Sequence, residues 1–322
     1  MPGDFSNRSG LLRALQTSFA IHVVRHYIKH ELPGWGRLYH AFVGTFEHDR
    51  LWQDQPVRYV VGKLHGYKMG LRIGGWSNRA TFFLRRFYDL PTQLLFCRFI
   101  KPGQIVVDVG ANEGMISLVA SRLVGSTGKV IAFEPNPVPG DILRQHIETN
   151  GITQIEFHAM GVSDMAGTLD LFVPYVNTGE GTFTVLTHVE GDVIQCPVVV
   201  GDSVIGSRHV DLIKIDVEGY EMRVLRGLCR AISESHPIIV MEMVAEHLAR
   251  DGVTPEDVVA YLQSAGYVGR RISSKRMLLK RVLIMSAIPA AWYDGDYVWL
   301  PKKITPGDNP SLIWSQTNQS LR

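Results

Sequence analysis

The sequence has few cysteines and no long apolar run, and each shortage excludes a class of protein. Its 322 residues contain three cysteines, Cys97, Cys196 and Cys229. Their spacing fits neither a zinc site nor a disulfide framework, which favours a reducing compartment and predicts a cytoplasmic protein. The longest uncharged apolar run, residues 282–293, is well short of the roughly 20 residues that a membrane-spanning helix needs. The first ten residues contain no basic segment followed by an apolar one, so we expect no signal peptide.

Charge is unevenly distributed along an otherwise ordinary globular composition. Hydrophobic residues make up 45% and charged residues 20% of the chain, which is enough apolar sequence for a folded core. The formal net charge of +2 divides into +8 for residues 1–100, −12 for residues 101–266 and +6 for residues 267–322. An acidic middle suits a cationic ligand, and basic flanks suit an anionic partner. An equal alternative is that the charges only solvate the surface unevenly.

The first 57 residues are predicted to form a helical extension. Apolar side chains recur there at four-residue steps, which is typical of a helix with one apolar face. These side chains are Leu11, Leu15, Phe19, Val23 and Tyr27. We expect the face to dock on the chain's own domain. The alternatives are a membrane surface and a second copy of the chain, which would make the helix part of a homo-oligomer.

The rest of the chain is predicted to be one α/β domain, 101–303, preceded by a hairpin and two helices that pack on it, 58–100. The hairpin strands are placed at 58–64 and 67–73, and the helices at about 79–88 and 91–100. From residue 101 onward apolar strands alternate with helices, which indicates a parallel sheet covered on both faces. These strands are predicted at 105–110, 129–133, 155–160, 211–217 and 237–243.

Further strands complete the predicted sheet. A hairpin at 168–174 and 194–200 is expected before the fourth parallel strand, and the segments between 271 and 301 are expected to form an antiparallel edge. Residues 304–322 are predicted to be a tail. The fold class is therefore α/β, a doubly wound Rossmann-like sheet with an antiparallel edge strand and an N-terminal helical and hairpin extension. Ligands of such sheets bind beyond the carboxyl ends of the strands.

The first parallel strand ends in VVDVGANEG, residues 106–114. Its small residues allow a ligand to approach the backbone where a helix begins. The glycine spacing does not match the dinucleotide fingerprint, and Asp108 and Glu113 would repel a pyrophosphate. The segment therefore suits a cationic ligand, with a purely structural turn as the alternative.

Polar residues also follow the second and third strands. Glu134 ends the second strand, at the position where an acidic side chain accepts the ribose hydroxyls of a nucleoside. Ser163 and Asp164 follow the third strand and are candidates to hydrogen-bond an adenine edge, although Ser-Asp is also common in turns.

The fourth strand carries the densest group of charges. The segment LIKIDVEGYE contains Lys214, Asp216, Glu218 and Glu221, and the next strand adds Glu242. Charges in a buried central strand are costly unless they are paired or used. A structural Lys–Asp pair is the alternative to a catalytic role.

Together these segments resemble the FkbM family of S-adenosylmethionine-dependent methyltransferases, over about residues 60–300. The resemblance implies a class I methyltransferase sheet and an O-methyltransferase that acts on a hydroxyl of a sugar, glycolipid or polyketide. One departure is Gly201, where the family tends to carry leucine, so we expect a looser loop there. The segments that carry the resemblance are DVGANEG, FEPNP, the SD of GVSD and KIDVEGYE, with weaker matches in NTGEGTF, GYKMGLRIGGW and YVWLP.

The resemblance also implies which residues bind the cofactor, S-adenosylmethionine. The turn after the first strand would hold its methionine end, Glu134 its ribose, and Ser163 with Asp164 its adenine. The predicted cofactor-binding residues are Asp108, Gly110, Ala111, Asn112, Gly114, Glu134, Asn136, Ser163, Asp164 and Asp216.

The predicted reaction is in-line displacement by an acceptor hydroxyl, which needs alignment and a base. Asp216 and Glu218 are the candidate bases, Lys214 is predicted to orient a carboxylate or stabilise an alkoxide, and Glu242 is a further catalytic candidate. In a second version, Asp216 and Glu242 bind a magnesium ion that acidifies the hydroxyl. The expected acceptor is a small molecule or glycan, anionic or carrier-linked.

Three rival functions remain. An NAD-dependent oxidoreductase would also use Glu134, but the glycine spacing opposes it. A methyltransferase-like scaffold without activity is opposed by the intact Gly110, Gly114 and Glu134. Nucleic-acid methylation is disfavoured, because the chain has no Asn-Pro-Pro-aromatic segment and its basic residues are scattered.

Overall fold

The computed structural model describes residues 13–175, 181–184, 190–277, 280–289, 291–303 and 314–315. The chain forms two compact units, Met1–Leu90 and Pro91–Arg322. Several predicted features lie outside the described residues, namely Leu11, most of the tail 304–322 and part of NTGEGTF. Among the residues that are described, no helix has both the length and the apolar character needed to cross a membrane.

The helices are short and the strands numerous. After a helical stretch at 13–19 and a π-helical turn Ala20–Val24, the helices are α1 (Arg25–Ile28), α2 (Trp35–Phe42), α3 (Asp49–Trp52), α4 (Trp76–Leu84), α5 (Leu90–Phe99), α6 (Met115–Val124), α7 (Pro137–Asn150), α8 (Gly201–Ile205), α9 (Glu221–Gly227), α10 (Cys229–Ser235), α11 (Ala245–Ala249) and α12 (Pro255–Ser264). The strands are β1 (Arg58–Val61), β2 (Lys68–Leu71), β3 (Ile105–Val109), β4 (Lys129–Phe133), β5 (Ile155–His158), β6 (Gly161–Ser163), β7 (Gly167–Pro174), β8 (Gly191–Val200), β9 (Leu212–Ile215), β10 (Ile238–Met243), β11 (Tyr267–Met277), β12 (Lys280–Ala287), β13 (Gly295–Pro301) and β14 (Trp314–Ser315).

The first unit contains the predicted N-terminal helix, but a different face of it is buried. The predicted apolar side chains Leu15, Phe19 and Val23 are exposed, so the expectation that this face docks on the protein is wrong. A stripe with strict four-residue steps drifts around a helix of 3.6 residues per turn, whereas steps of three and four stay on one side. The buried side chains follow such steps and are Thr17, Ala20, Ile21, Val24 and Ile28.

The first unit also contains the predicted hairpin and a buried arginine. Strands β1 and β2 pair antiparallel, with shorter strands than the sequence indicated. The guanidinium of Arg79 is fully buried and donates to the carbonyl oxygens of Thr45 and Gly74 at 2.7 and 2.8 Å, and to Asp49 at 2.8 Å. These bonds satisfy a charge that would otherwise be costly to bury.

The second unit is built on a nine-stranded sheet in the order β14-β12-β11-β13-β10-β9-β3-β4-β5. Strands β10, β9, β3, β4 and β5 run parallel, which confirms the doubly wound α/β fold. The antiparallel edge contains more strands than the single edge strand that the sequence predicted. The last long strand, β13, inserts between β10 and β11 and pairs antiparallel with both, and β12 and β14 extend that side.

A small second sheet accompanies the large one. Strands β7 and β8 form the predicted antiparallel hairpin, and β6 pairs parallel with β8. The expectation that Gly201 loosens its loop is wrong, because Gly201 begins helix α8 and is buried. A Cβ at this position would lie 2.5 Å from the Cδ2 atom of Leu228. The glycine therefore permits close packing.

Candidate functional site

The charged residues predicted from the strand ends meet at one edge of the large sheet. Asp108 lies in β3, Glu134 follows β4, Asp216 follows β9 and Glu242 lies near the end of β10. These four strands are parallel, so their carboxyl ends point to the same side. In a doubly wound sheet this side is where ligands bind.

A tight turn connects β3 to α6 at this edge. Gly110, Asn112 and Gly114 all have positive φ angles, of 76°, 52° and 85°. A Cβ on Gly114 would stand 2.3 Å from a methyl carbon of Leu143. The backbone N–H groups of Gly110 and Ala111 both donate to the carbonyl oxygen of Phe133, at 3.0 and 2.9 Å. The turn is therefore held against its neighbours by backbone contacts that leave no room for larger side chains.

Glu134 braces this turn against the loop after β4. Its Oε2 atom accepts the N–H of Asn112 at 2.8 Å, and its Oε1 atom accepts the N–H of Asn136 at 2.8 Å. Asn136 in turn caps helix α7 by accepting the N–H of Val138. Burial raises the pKa of Glu134 to about 7 from its ordinary value of 4.5. Its ionisation is therefore sensitive to what binds nearby.

Lys214 is the cation at the centre of the site. Its Nζ atom donates to the carbonyl oxygen of Gly110 at 2.7 Å and lies 3.2 Å from Asp216 and 3.4 Å from Asp108. Asp108 is fully buried, and its other oxygen accepts the hydroxyl of Ser117. Burial acts to lower the pKa of Lys214, but the carboxylates of Asp216 and Asp108 outweigh it and raise that pKa. Lys214 therefore stays charged and ties the end of β9 to the end of β3.

A second group of carboxylates lies beside Asp216. Oxygen atoms of Asp216, Glu218 and Glu242 lie within 4.8 Å of one another. The negative charge of Asp216 and burial both raise the pKa of Glu242, which hydrogen-bonds to Asp216. The raised pKa favours the protonated form of Glu242 next to the charged Asp216. Glu218 pairs with His247, whose Nδ1 atom is 2.8 Å from Oε2.

These partners bear on the predicted magnesium ion. Asp216 is paired with Lys214, Glu218 lies beside the Nδ1 atom of His247, and the charge of Asp216 together with burial raises the pKa of Glu242. Each carboxyl group of the cluster thus has a partner within the chain. Magnesium remains a prediction for Asp216 and Glu242.

Ser163 and Asp164 lie at the end of β6, beside helix α9. The hydroxyl of Ser163 is buried and lies 3.2 Å from the hydroxyl of Tyr220. Asp164 lies 3.6 Å from the guanidinium of Arg223. Within the described part of the chain, no hydrogen bond or ion pair joins these two residues to Glu134 or Lys214. Their role in holding adenine stays a prediction.

Three residues of the site carry no role in the sequence prediction. His247 lies in α11, just after β10. Its position five residues beyond Glu242 is the feature of the sequence that could have indicated it. Thr182 is fully buried and donates to the carbonyl oxygen of Glu218 at 2.8 Å, a contact that no local pattern indicates. Glu221 accepts the N–H of Gly219 at 3.0 Å, and burial raises its pKa to about 7.

The geometry fits a ligand that combines a nucleoside with a positive charge. The turn at 110–114 opens onto the start of α6, and buried carboxyl groups surround it. Oδ1 of Asp108 is buried and lies 3.4 Å from the Nζ atom of Lys214. An acidic edge of this kind favours a cation over a pyrophosphate. A doubly wound sheet with this site defines the class of S-adenosylmethionine-dependent methyltransferases.

The comparisons with known proteins identify the family. The model of the methyltransferase FkbM domain matches residues 108–268, half of the chain. The 31-O-demethyl-FK506 methyltransferase FkbM of Streptomyces tacrolimicus is 31% identical over 223 residues, which span 59% of this chain and 83% of that protein. The chain belongs to the FkbM methyltransferase family, and it is an S-adenosylmethionine-dependent methyltransferase.

Other relatives are also methyltransferases. The hexuronic acid methyltransferase AglP of Haloferax volcanii is 32% identical over 164 residues, which cover 50% of this chain and 62% of AglP. The methyltransferase sdnD of Sordaria araneosa is 29% identical over 194 residues, which cover 50% of this chain and 73% of sdnD. The solved structure of a methyltransferase FkbM from Methylobacillus flagellatus KT is 18% identical and covers 82% of this chain and 60% of that chain. Its TM-score is 0.37.

Proposed function

We propose that this enzyme transfers a methyl group from S-adenosylmethionine to a hydroxyl of a sugar, glycolipid or polyketide-type acceptor. The observation that carries the proposal is the bracing of the turn 110–114 by Glu134 next to the Lys214–Asp108–Asp216 group. The names of two relatives support an oxygen acceptor, since AglP is a hexuronic acid methyltransferase and FkbM acts on 31-O-demethyl-FK506.

The residues of the acidic edge would hold the cofactor. The turn residues Gly110 to Gly114, with Asp108 and Asp216, would meet its methionine end, and Glu134 its ribose. Ser163 and Asp164 would meet its adenine. When bound, S-adenosylmethionine supplies an already activated methyl group, so the protein's task is alignment and removal of one proton.

The described contacts distinguish the candidate catalytic residues. Lys214 stays protonated and holds Asp216 in place, which suits the predicted orienting role and opposes a role as base. The charge of Asp216 and burial raise the pKa of Glu242, which favours its protonated form and opposes a role as base. Asp216 and Glu218 remain the candidate carboxylate bases.

The cofactor is tested first, by isothermal titration with S-adenosylmethionine, S-adenosylhomocysteine and NADH. We expect saturable binding of the first two, and weaker binding by about tenfold or more in Glu134→Ala, since bonds to a charged group contribute about 1.5–3 kcal/mol. Glu148→Ala, which removes an exposed carboxylate from α7, is the matched control. Binding of NADH instead would favour the oxidoreductase.

The acceptor is tested by transfer of a tritiated methyl group. The two probes are methyl β-D-glucuronoside and 31-O-demethyl-FK506, with denatured enzyme as the blank. We expect label in at least one purified product, at an ether oxygen by mass spectrometry. Tight cofactor binding without transfer to these or a wider set of hydroxyl compounds would support the inactive scaffold.

A further inference from the structure

The pair formed by Glu218 and His247 lies at the ends of two neighbouring strands. Glu218 follows β9, His247 follows β10, and β9 and β10 pair in parallel. The Nδ1 atom of His247 lies 2.8 Å from Oε2 of Glu218. An oxygen atom of Glu218 is also within 4.8 Å of oxygen atoms of Asp216 and Glu242. The histidine is therefore joined directly to the acidic edge.

Both members of the pair are held by backbone contacts. Gly219, with a φ angle of 109°, lies against α11 so closely that a Cβ there would be 2.4 Å from the carbonyl oxygen of His247. On the other side, Thr182 donates its hydroxyl to the carbonyl oxygen of Glu218 at 2.8 Å. Glu218 itself adopts a left-handed conformation, with a φ angle of 56°. Such strain in a non-glycine residue persists when surrounding contacts impose it, and it is common at functional sites.

The contact with Glu218 decides which ring nitrogen of His247 carries the proton. A carboxylate only accepts hydrogen bonds, so Nδ1 is the donor and Nε2 of the neutral ring keeps its lone pair. Among the described residues, none forms a hydrogen bond with Nε2. A quarter of the side chain is exposed. Nδ1 is therefore held by Glu218, and Nε2 is available to accept a proton.

We propose that His247 is the catalytic base that accepts the proton of the acceptor hydroxyl, and that Glu218 is its positioning residue. The inference rests on the proposed O-methyl transfer. In the step, the acceptor oxygen bonds to the methyl carbon while the carbon–sulfur bond breaks and leaves its electron pair on sulfur. The hydroxyl proton passes to Nε2, and the resulting imidazolium faces the carboxylate of Glu218.

Groups on the surrounding elements shift the pKa of this histidine upward from its ordinary value. The hydrogen bond that His247 donates to Glu218 raises the pKa of His247, and Glu221 at the start of α9 acts in the same direction. Burial and Arg250, the residue that ends α11, act to lower it. A base is most effective when its pKa lies near the working pH. Despite burial, the pKa of Lys214 is raised by Asp216 and Asp108, and the pKa of Glu242 is raised by Asp216, so both groups favour their protonated forms.

The first test needs no acceptor. Nuclear magnetic resonance of protein labelled with ¹⁵N-histidine reports the protonated nitrogen and the pKa of each ring. We expect neutral His247 to carry its proton on Nδ1, and Glu218→Gln to lower its pKa and weaken this tautomer preference. A neutral ring protonated on Nε2, or a pKa that does not change in Glu218→Gln, would overturn the proposal.

The second test measures transfer to whichever of the two probe hydroxyls the wild type methylates. We expect His247→Asn to slow transfer by roughly 10²–10⁴-fold and to remove the acidic limb of the pH–rate profile. Its affinity for S-adenosylmethionine should stay within about twofold of the wild-type affinity. Circular dichroism and thermal melting would show whether the variant is folded. His209→Asn, which changes an exposed histidine, is the matched control.

The outcomes separate the two proposals. Full transfer and an unchanged pH profile in His247→Asn would overturn the role of His247 while the proposed function stands. Failure of the wild type to bind S-adenosylmethionine would overturn the proposed function itself. In Glu218→Gln we expect a smaller loss of rate and an acidic limb moved to lower pH, which a purely structural role would not produce.

Discussion

Gly110 and Asp216 approach each other so closely that a Cβ on Gly110 would lie 1.8 Å from the carbonyl oxygen of Asp216. The contact joins the turn after β3 to the segment after β9, and Gly110 also has a positive φ angle of 76°. Both the conformation and the missing side chain are therefore required. The sheet edge that forms the site depends on this one approach.

The variant Gly110→Ala should be strongly destabilised. A left-handed conformation costs a residue with a Cβ about 1–2 kcal/mol, and the overlap with Asp216 adds to that cost. We expect urea unfolding to show a loss of more than about 2 kcal/mol, together with loss of S-adenosylmethionine binding. Gly167→Ala is the control, because its Cβ would meet nothing within 4 Å. Equal stability of the two variants would refute the steric argument.

Removing the charge of Lys214 should cost more than removing an exposed lysine. In Lys214→Met the fully buried Asp108 would lose its cation, and breaking a buried ion pair costs about 3–5 kcal/mol. We expect a loss of this size in chemical denaturation, and little change in Lys101→Met, whose side chain is exposed. A loss below about 1 kcal/mol would mean that the pair is dispensable for folding.

Two buried carboxyl groups should make the protein less stable as the pH rises. Burial raises the pKa values of Glu134 and Glu221 to about 7, from an ordinary value of 4.5. Between these values the folded state binds more protons than the unfolded state, so the free energy of unfolding falls as the pH rises from about 4.5 to 7. Unfolding by urea at several pH values measures this slope. The double variant Glu134→Gln, Glu221→Gln should flatten it, and an unchanged slope would contradict the assignment.

Chelation of divalent ions should leave the cofactor site intact. Lys214 already balances the charge of Asp216, and Glu218 already has a partner in the Nδ1 atom of His247. We therefore expect EDTA or Mg²⁺, added at about 1 mM, to leave S-adenosylmethionine binding and the melting temperature unchanged. Stabilisation by Mg²⁺ that disappears in Glu242→Gln would instead support the magnesium hypothesis.

The parallel half of the sheet was predictable because its strands are short, continuous apolar runs. The start and end of β4 match the prediction, and those of β3, β9 and β10 differ from it by no more than two residues. The position of β13 was not predictable, since it depends on pairing with two strands that are distant in sequence. Pairing between strands far apart leaves no local periodicity to detect.

The site residues were predictable where charged side chains lie at the end of a predicted strand. Lys214 and Asp216 were recognised as a pair, but the sequence left open whether the pair is structural or catalytic. Its distances to Gly110 and Asp108 show that Lys214 makes structural contacts, and its part in catalysis stays a prediction. His247 was missed because a single histidine in a short helix has no spacing that marks it as functional.

Because β13 inserts between β10 and β11, the edge of β10 is covered only after β13 has been synthesised. Until residues 295–301 leave the ribosome, β10 presents an unpaired edge and the β11–β12 hairpin has no sheet to join. Exposed edges of this kind attract other chains. We therefore expect the nascent protein to be most prone to aggregation in the interval between the synthesis of β10 and that of β13.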